Sequence, residues 1–239
     1  MRSFGRLDEL MNVEIQGSLI DQSLLDLYSL HLDSPGGNSW IYGIAKRGVD
    51  ICGAIVGLTI LGLFLPFIAL LYLLVDRGPI FYRQKRVGEN FRPFTLYKLR
   101  TMIVDADGHL ARHPPLQAAW SQSGKLQNDP RVTRLGSFLR RSSLDELPQL
   151  FNVLRGDISL VGPRPIQSSE IPAFGELIKL RQSVKPGLTG LWQISGRSNT
   201  DYEQRAILDC IYVVDCSFWV DLLIIFNTIP AVLRGWDAY

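Results

Sequence analysis

The sequence predicts an α+β fold that is mostly helical, with a small domain built onto one long apolar helix. Three observations carry this. Ile51 to Val75 runs for 25 residues without a charge, long enough to cross a bilayer. Leu144, Leu147, Leu150, Phe151 and Leu154 recur at helical spacing, as do Phe218, Leu222, Ile225, Phe226 and Ile229. One stretch, Gly78 to Met102, alternates apolar and polar residues as strands do.

Composition bounds the classes. At 239 residues the chain forms one large domain or two small ones. Its formal net charge of +2 names no polyanionic partner, and nucleic-acid binding is not expected. Hydrophobic residues make up 46% and mean hydropathy is +0.10, both high for a soluble domain. Charge is unevenly spread. Residues 1–45 hold six acids against two arginines, whereas Arg77 to Arg100 holds seven basic residues and one acid, Glu89. A basic block straight after an apolar run suits a membrane surface or a phosphate. The three cysteines, Cys52, Cys210 and Cys216, are too poorly spaced for a disulfide framework or a zinc site and read as reduced thiols.

Taken in order, residues 1–40 carry no secretory signal pattern and end in the turn-rich SPGGNS. An amphipathic helix is compatible with Leu19 to Leu32. Within the apolar run, Pro66 should break or kink the helix. The segments before and after it would reach only ~22 Å and ~14 Å as helix, each short of a ~30 Å hydrocarbon core. Both flanks are basic, with Lys46 and Arg47 before and Arg77, Arg83, Lys85 and Arg86 after. A spanning helix is normally asymmetric in this respect. A hairpin that dips in and returns, a kinked single span and a buried core helix all remain open from the run alone. Gly53-x-x-x-Gly57 also fits close helix packing in a membrane.

Beyond the run, Ile80 to Gln84 and Phe94 to Leu99 form a hairpin about a Gly88-Glu89-Asn90 turn, with Lys98 and Arg100 on one face. Ile103 to Gln127 reads as a helix fragment and loop. His109 and His113 are four apart, but no third metal ligand accompanies them. Asn128 to Arg131 is a turn, Val132 to Arg141 a short helix and Ile158 to Val161 a buried strand. Pro163 and Pro165 restrict the backbone about Arg164. Ser169 to Leu180 is expected to be one helix. Lys185 to Arg197 is a glycine-rich loop able to approach a phosphate, although not a Walker A loop. Tyr202 to Val213 is a helix carrying Asp209. The last apolar face, starting at Phe218-Trp219, suits a membrane interface or a core equally.

The stretch that organises the rest is Ser142 to Pro165, SSLDELPQLFNVLRGDISLVGPRP. It holds adjacent carboxylates, Asp145 and Glu146, among Arg140, Arg141, Arg155 and Arg164. One carboxylate can attack or hold Mg²⁺ while arginines neutralise phosphate oxygens. The same residues also read as an ordinary capped helix, since Ser143-x-x-Glu146 is a capping box.

These pieces together resemble the bacterial sugar transferase family, the monotopic polyprenyl-phosphate glycosyl-1-phosphate transferases. The matching segments are KRGVDI at 46–51, the proline-interrupted run, FYRQKRVG at 81–88, YKLRTM at 97–102, NDPRVTRLGSFLRRSSLDELPQLFNVLRGDISLVGPRP at 128–165, KPGLTGLWQISGR at 185–197 and DCIYV at 209–213. Leu65 precedes the proline, where many members have serine.

The resemblance implies a two-step reaction. Asp145 would attack the sugar-linked phosphate of a UDP-sugar, UMP would leave, and undecaprenyl phosphate would take the phosphosugar from the aspartate. Glu146 would hold Mg²⁺; Arg140 and Arg164 would lie near substrate phosphates, with Lys98, Arg100 and Asp209 at other substrate-binding motif positions. The implied architecture is a variable head at 1–45, a re-entrant membrane hairpin at 46–77, and a cytosolic transferase domain at 78–239 with amphipathic interfacial helices. The short head suggests a minimal catalytic form, at the inner membrane with its site facing the cytoplasm, and leaves a homodimer open. Subfamily likeness favours galactose over glucose as the sugar, in exopolysaccharide priming. Two rivals stand: a non-catalytic protein whose basic block binds anionic lipid, and a one-step transferase with Asp145 as a base.

Overall fold

The computed structural model describes residues 40–123, 126, 128–195 and 202–233. The segment Leu19 to Leu32 and the Gly196-Arg197 end of the glycine-rich loop lie outside them. Helix α1 spans Trp40–Leu71 and continues into one wider π turn, Tyr72–Asp76. Pro66 sits inside α1 and does not end it. Proline removes one ladder hydrogen bond, and a long apolar helix keeps the rest.

This helix is long and apolar enough to cross a membrane, with a mean hydropathy of 2.6 in its most apolar window. Only 17% of that window is buried by the rest of the protein, so it is no core helix. Ile55, Leu63, Phe64, Phe67 and Leu74 are exposed. A patch of this extent marks a surface that meets lipid or protein.

The other side of α1 is docked on the domain. Leu61, Ile68 and Tyr72 pack with Leu99 and Leu139, and Ala54 packs with Leu96, Leu150, Val153 and Ile158. Gly53 and Gly57 face this side. A Cβ on Gly53 would come 2.7 Å from Leu160 Cδ1, and one on Gly57 2.4 Å from Leu150 Cδ1. The two glycines therefore seat leucines of the domain, which answers the expectation that they pack a membrane helix.

Strands β1 (Phe81–Val87) and β2 (Pro93–Leu99) form the expected antiparallel hairpin, with Tyr82 opposite Lys98 and Arg86 opposite Phe94. Two short helices follow, α2 (Ala106–Ala111) and α3 (Pro114–Ser123), where one fragment and a loop were expected. Helix α4 (Arg134–Arg141) is capped by Thr133, whose hydroxyl accepts from the Gly136 N–H at 2.9 Å. Helix α5 (Gln149–Arg155) ends at Gly156, whose φ of 83° suits glycine. Strand β3 (Ser159–Val161) pairs in parallel with β4 (Gly187–Thr189). Between them, Ser168–Phe174 is a 3₁₀ turn and α6 spans Leu177–Arg181. The single helix expected over 169–180 is split because Pro172 and Gly175, at φ 52°, interrupt it.

Helix α7 (Leu191–Ile194) leads to α8 (Tyr202–Asp215) and α9 (Phe218–Leu233). The largest core joins Trp192, Leu208, Ile211, Tyr212, Val213, Val220 and Ile224. Helix α9 is apolar all round. Val220 and Ile224 enter that core, while Trp219, Phe226 and Ile229 are exposed. The core reading of its sequence is met on one side, and the other side is left exposed.

Candidate active site

Asp145 and Glu146 lie on a 3₁₀ turn, Leu144–Glu146, between α4 and α5. The expected capping box does not form. An N-cap needs extended backbone, whereas Ser143 is left-handed at φ 54° and its side chain caps nothing. Helix α5 starts only after Pro148, so the acids are not spent on a helix end. Glu146 is instead taken by Lys98, whose Nζ donates to Oε1 at 2.6 Å. Arg164 Nη2 stands 3.8 Å from the same oxygen.

The two acids are driven apart. Asp145 is buried, at 7% exposure, and among the described residues its carboxyl accepts no hydrogen bond. Burial, then the Glu146 charge, push its pKa up, against Lys98, Arg140 and Arg164. Burial acts on Glu146 in the same sense, but Lys98 and Arg164 outweigh it and hold that carboxyl well below its usual range. Two adjacent carboxyls thus have separate states: Glu146 ionises first, and Asp145 is the higher-energy anion.

Arg140 ends α4, and its Nε donates to Thr101 Oγ1 at 2.9 Å. Its charge is one of those that Asp145 feels. Arg141 is exposed, and Arg155 pairs with Asp157 at 3.3 Å on the surface. Lys98, Glu146 and Arg164 line one crevice together with Arg86, Gln149 and Leu188. Arg86 and Gln149 escaped the sequence reading. The hairpin register held a signal for Arg86, because Tyr82, Gln84 and Arg86 face the same side as Phe94, Leu96 and Lys98. Gln149 gave none, standing in what read as an ordinary helix start.

Arg100 and Asp209 are not brought to this crevice. The strand ends at Leu99, and the Arg100 guanidinium donates to the carbonyls of Pro79 at 2.7 Å and of Asp76 and Met102 at 3.0 Å. It ties the exit of α1 to β2. Asp209 is buried on α8 and accepts from Arg181 Nε at 2.8 Å. Among the described residues no three metal-binding side chains cluster. The histidine pair stacks, at 4.3 Å between rings, and gathers no third ligand.

Glu146 is the carboxylate that could hold Mg²⁺. The ion takes one or two carboxylates and completes its shell with water and substrate phosphate. Lys98 and Arg164 both meet Oε1 of Glu146, and among the described residues no side chain engages its Oε2.

The model for bacterial sugar transferases matches residues 41–235. The chain belongs to the bacterial sugar transferase family. It is 44% identical to a UDP-galactose-lipid carrier transferase of Erwinia amylovora over 81% of its own length and 41% of that protein's. The figures are the same for an undecaprenyl-phosphate galactose phosphotransferase of Salmonella typhimurium. It is 43% identical to the exopolysaccharide production protein ExoY of Rhizobium meliloti, over 83% of this chain and 90% of that one. The chain thus spans about two fifths of the first two relatives, 41% of each, and nearly all of the third. This sugar transferase domain carries its acid pair, Lys98 and Arg164 on three different segments.

Proposed function

We propose that the chain transfers a hexose-1-phosphate, with galactose-1-phosphate as first choice, from a UDP-sugar to undecaprenyl phosphate, priming an exopolysaccharide repeat unit. One observation carries the reading: Asp145 is a nearly buried carboxylate without a hydrogen-bond partner among the described residues, while its neighbour Glu146 is held ionised by Lys98. A cap or a structural pair would leave no such anion. The relatives named for galactose direct the choice of sugar.

In the first step an Asp145 carboxylate oxygen attacks the phosphorus that bears the sugar. The O–P bond forms as the bridging P–O bond breaks, and UMP departs with the bridging oxygen. In the second step an oxygen of undecaprenyl phosphate attacks that same phosphorus, the aspartyl O–P bond breaks, and Asp145 is regenerated as carboxylate. Arg140 and Arg164 neutralise phosphoryl oxygens, and Lys98 holds Glu146 in place and ionised. Glu146 would be the protein ligand of Mg²⁺, which when bound neutralises diphosphate charge. On this reading the site lies at the cytoplasmic face of the bacterial inner membrane, where the charged phosphates of both substrates stay in water, and α1 would have to turn back at Pro66 for both of its ends to face the cytoplasm.

The test uses the full chain in vesicles with undecaprenyl phosphate, Mg²⁺ and each of UDP-galactose, UDP-glucose and the UDP-N-acetyl sugars. UMP release and a phosphohexose adduct on Asp145 are expected, greatest with UDP-galactose and stopped by a chelator. Asp145→Asn should abolish both. Undiminished UMP release by Asp145→Asn refutes the nucleophile, and a preference for UDP-glucose corrects the sugar. Lipid binding without turnover would favour the non-catalytic rival. Ternary-complex rather than ping-pong kinetics would favour the one-step rival.

A further inference from the structure

The segment from Pro163 to Ile166 is tied to the domain through four consecutive carbonyls. Gly187 N–H donates to Pro163 O and Val87 N–H to Ile166 O, both at 2.8 Å. Among the described residues no backbone N–H donates to the two between. Arg181 Nη2 donates to Arg164 O, and Arg86 Nη1 to Pro165 O at 3.0 Å. Prolines at 163 and 165 lack an N–H, so the carbonyls are the main handles this segment offers.

Each of these two guanidiniums is itself anchored by a carboxylate. Arg181 and Asp209 form a pair at 2.8 Å with side chains 1% and 2% exposed. Arg86 Nη1 meets Glu170 Oε2 at 3.3 Å, and its Nε and Nη2 both donate to Gln84 Oε1. Burying an ion pair as completely as Arg181–Asp209 is costly, and well-packed apolar residues often serve stability as well or better. A purely structural account therefore leaves the pair without a purpose. Its second guanidinium nitrogen supplies one, because Nη2 reaches the backbone of the residue whose side chain stands 3.8 Å from Glu146.

We infer that Arg181, set by Asp209, is a positioning residue for Arg164, and that Arg86, set by Glu170, grips the adjoining carbonyl to the same end. The two guanidiniums, Arg181 buried and Arg86 half-buried, fix the main chain on either side of the Arg164–Pro165 peptide, so that the Arg164 side chain is aimed at the acid pair without a search. Asp209 then acts at the site through Arg181 and touches no substrate. This rests on the transferase reading for its consequence and on geometry for its existence.

The experiment uses the full chain in vesicles. Arg181→Met/Asp209→Leu removes both buried charges together, so that neither is left unpaired, and withdraws the donor from Arg164 O. Exchange of the Gly187 and Val87 amides, which donate to Pro163 O and Ile166 O at the two ends of the segment, should quicken by about tenfold or more, read by mass spectrometry, as the tie is lost. UMP release should fall by about tenfold or more through misaimed Arg164. Adding Arg164→Ala to the double variant should then cost far less than Arg164→Ala costs in the wild type, because the two act as one unit. Unchanged exchange, or losses that simply add, would overturn the inference. Should the double variant fail to fold, Arg181→Lys keeps the charge but lacks the fork, and the same three readouts decide. A wild-type chain that releases no UMP from any UDP-sugar would defeat the transferase reading instead, and the exchange measurement would still judge the cradle.

Discussion

At the scale of the residue, charge does the sorting. Lys98 on β2 and Glu146 are 48 positions apart, and their contact decides which acid ionises first. In the proposed mechanism Asp145 attacks as the carboxylate, so UMP release should rise with pH through about 6, where its raised pKa lies. Arg140→Gln removes a cation that favours that carboxylate, so the rising limb should move to higher pH; a pH–rate profile reads this. Stability runs the other way. A carboxyl whose pKa is raised on folding stabilises the fold while protonated, and this is lost as pH rises through about 6. Asp145→Asn should therefore melt higher than wild type at pH 8, by on the order of 1–3 kcal/mol, and the gain should vanish near pH 4. Glu146 is the opposite case: its lowered pKa contributes stability above its usual value, lost as pH falls.

At the scale of the element, close approach and buried charge set positions. A Cβ on Gly136 would stand 1.9 Å from the Thr101 carbonyl oxygen, which is backbone and cannot swing away. Gly136→Ala should push α4 off β2, lower stability by about 2 kcal/mol or more, and reduce UMP release by moving Arg140. Thermal melting beside the UMP assay checks both. The start of α1 is held by three charged side chains. Lys46 donates to Asp221 at 2.8 Å and to the Val161 carbonyl at 3.0 Å. Arg47 donates to the last carbonyls of α5, Val153 and Leu154, and Asp50 accepts from Leu160 N–H and Ser159. Lys46→Met leaves Asp221 buried with tyrosines as its partners. Loosened docking, at a cost of about 3 kcal/mol, should show as faster proteolysis between α1 and β1.

At the scale of the whole molecule, the exposed apolar surfaces of α1 and α9 make one protein with two environments. Association through apolar area does not weaken with salt, so high salt should leave the chain with membranes and detergent should release it. Topology is read in a background without native cysteines. Ile44→Cys and Leu74→Cys, near the two ends of α1 and both exposed, should each resist an impermeant thiol reagent applied outside spheroplasts. Labelling of one alone from outside would make α1 a spanning helix.

Local pattern was enough for the sequence to determine the apolar helix, the hairpin and the turn at Asn128 to Arg131. These depend on neighbours three or four residues apart or on one strand's alternation, which a sequence displays directly. Tertiary structure alone decided what each face meets. Lys98 and Arg100 share a predicted face, yet one meets Glu146 and the other the carbonyls at the end of α1. Ser143-x-x-Glu146 has the letters of a capping box, but a left-handed Ser143 and a lysine from another strand claim them. Asp209 stands in a motif, and the partner it finds is the buried Arg181. Periodicity fixes which way a side chain points along its own element; only the folding of distant segments onto one another fixes the partner it finds there.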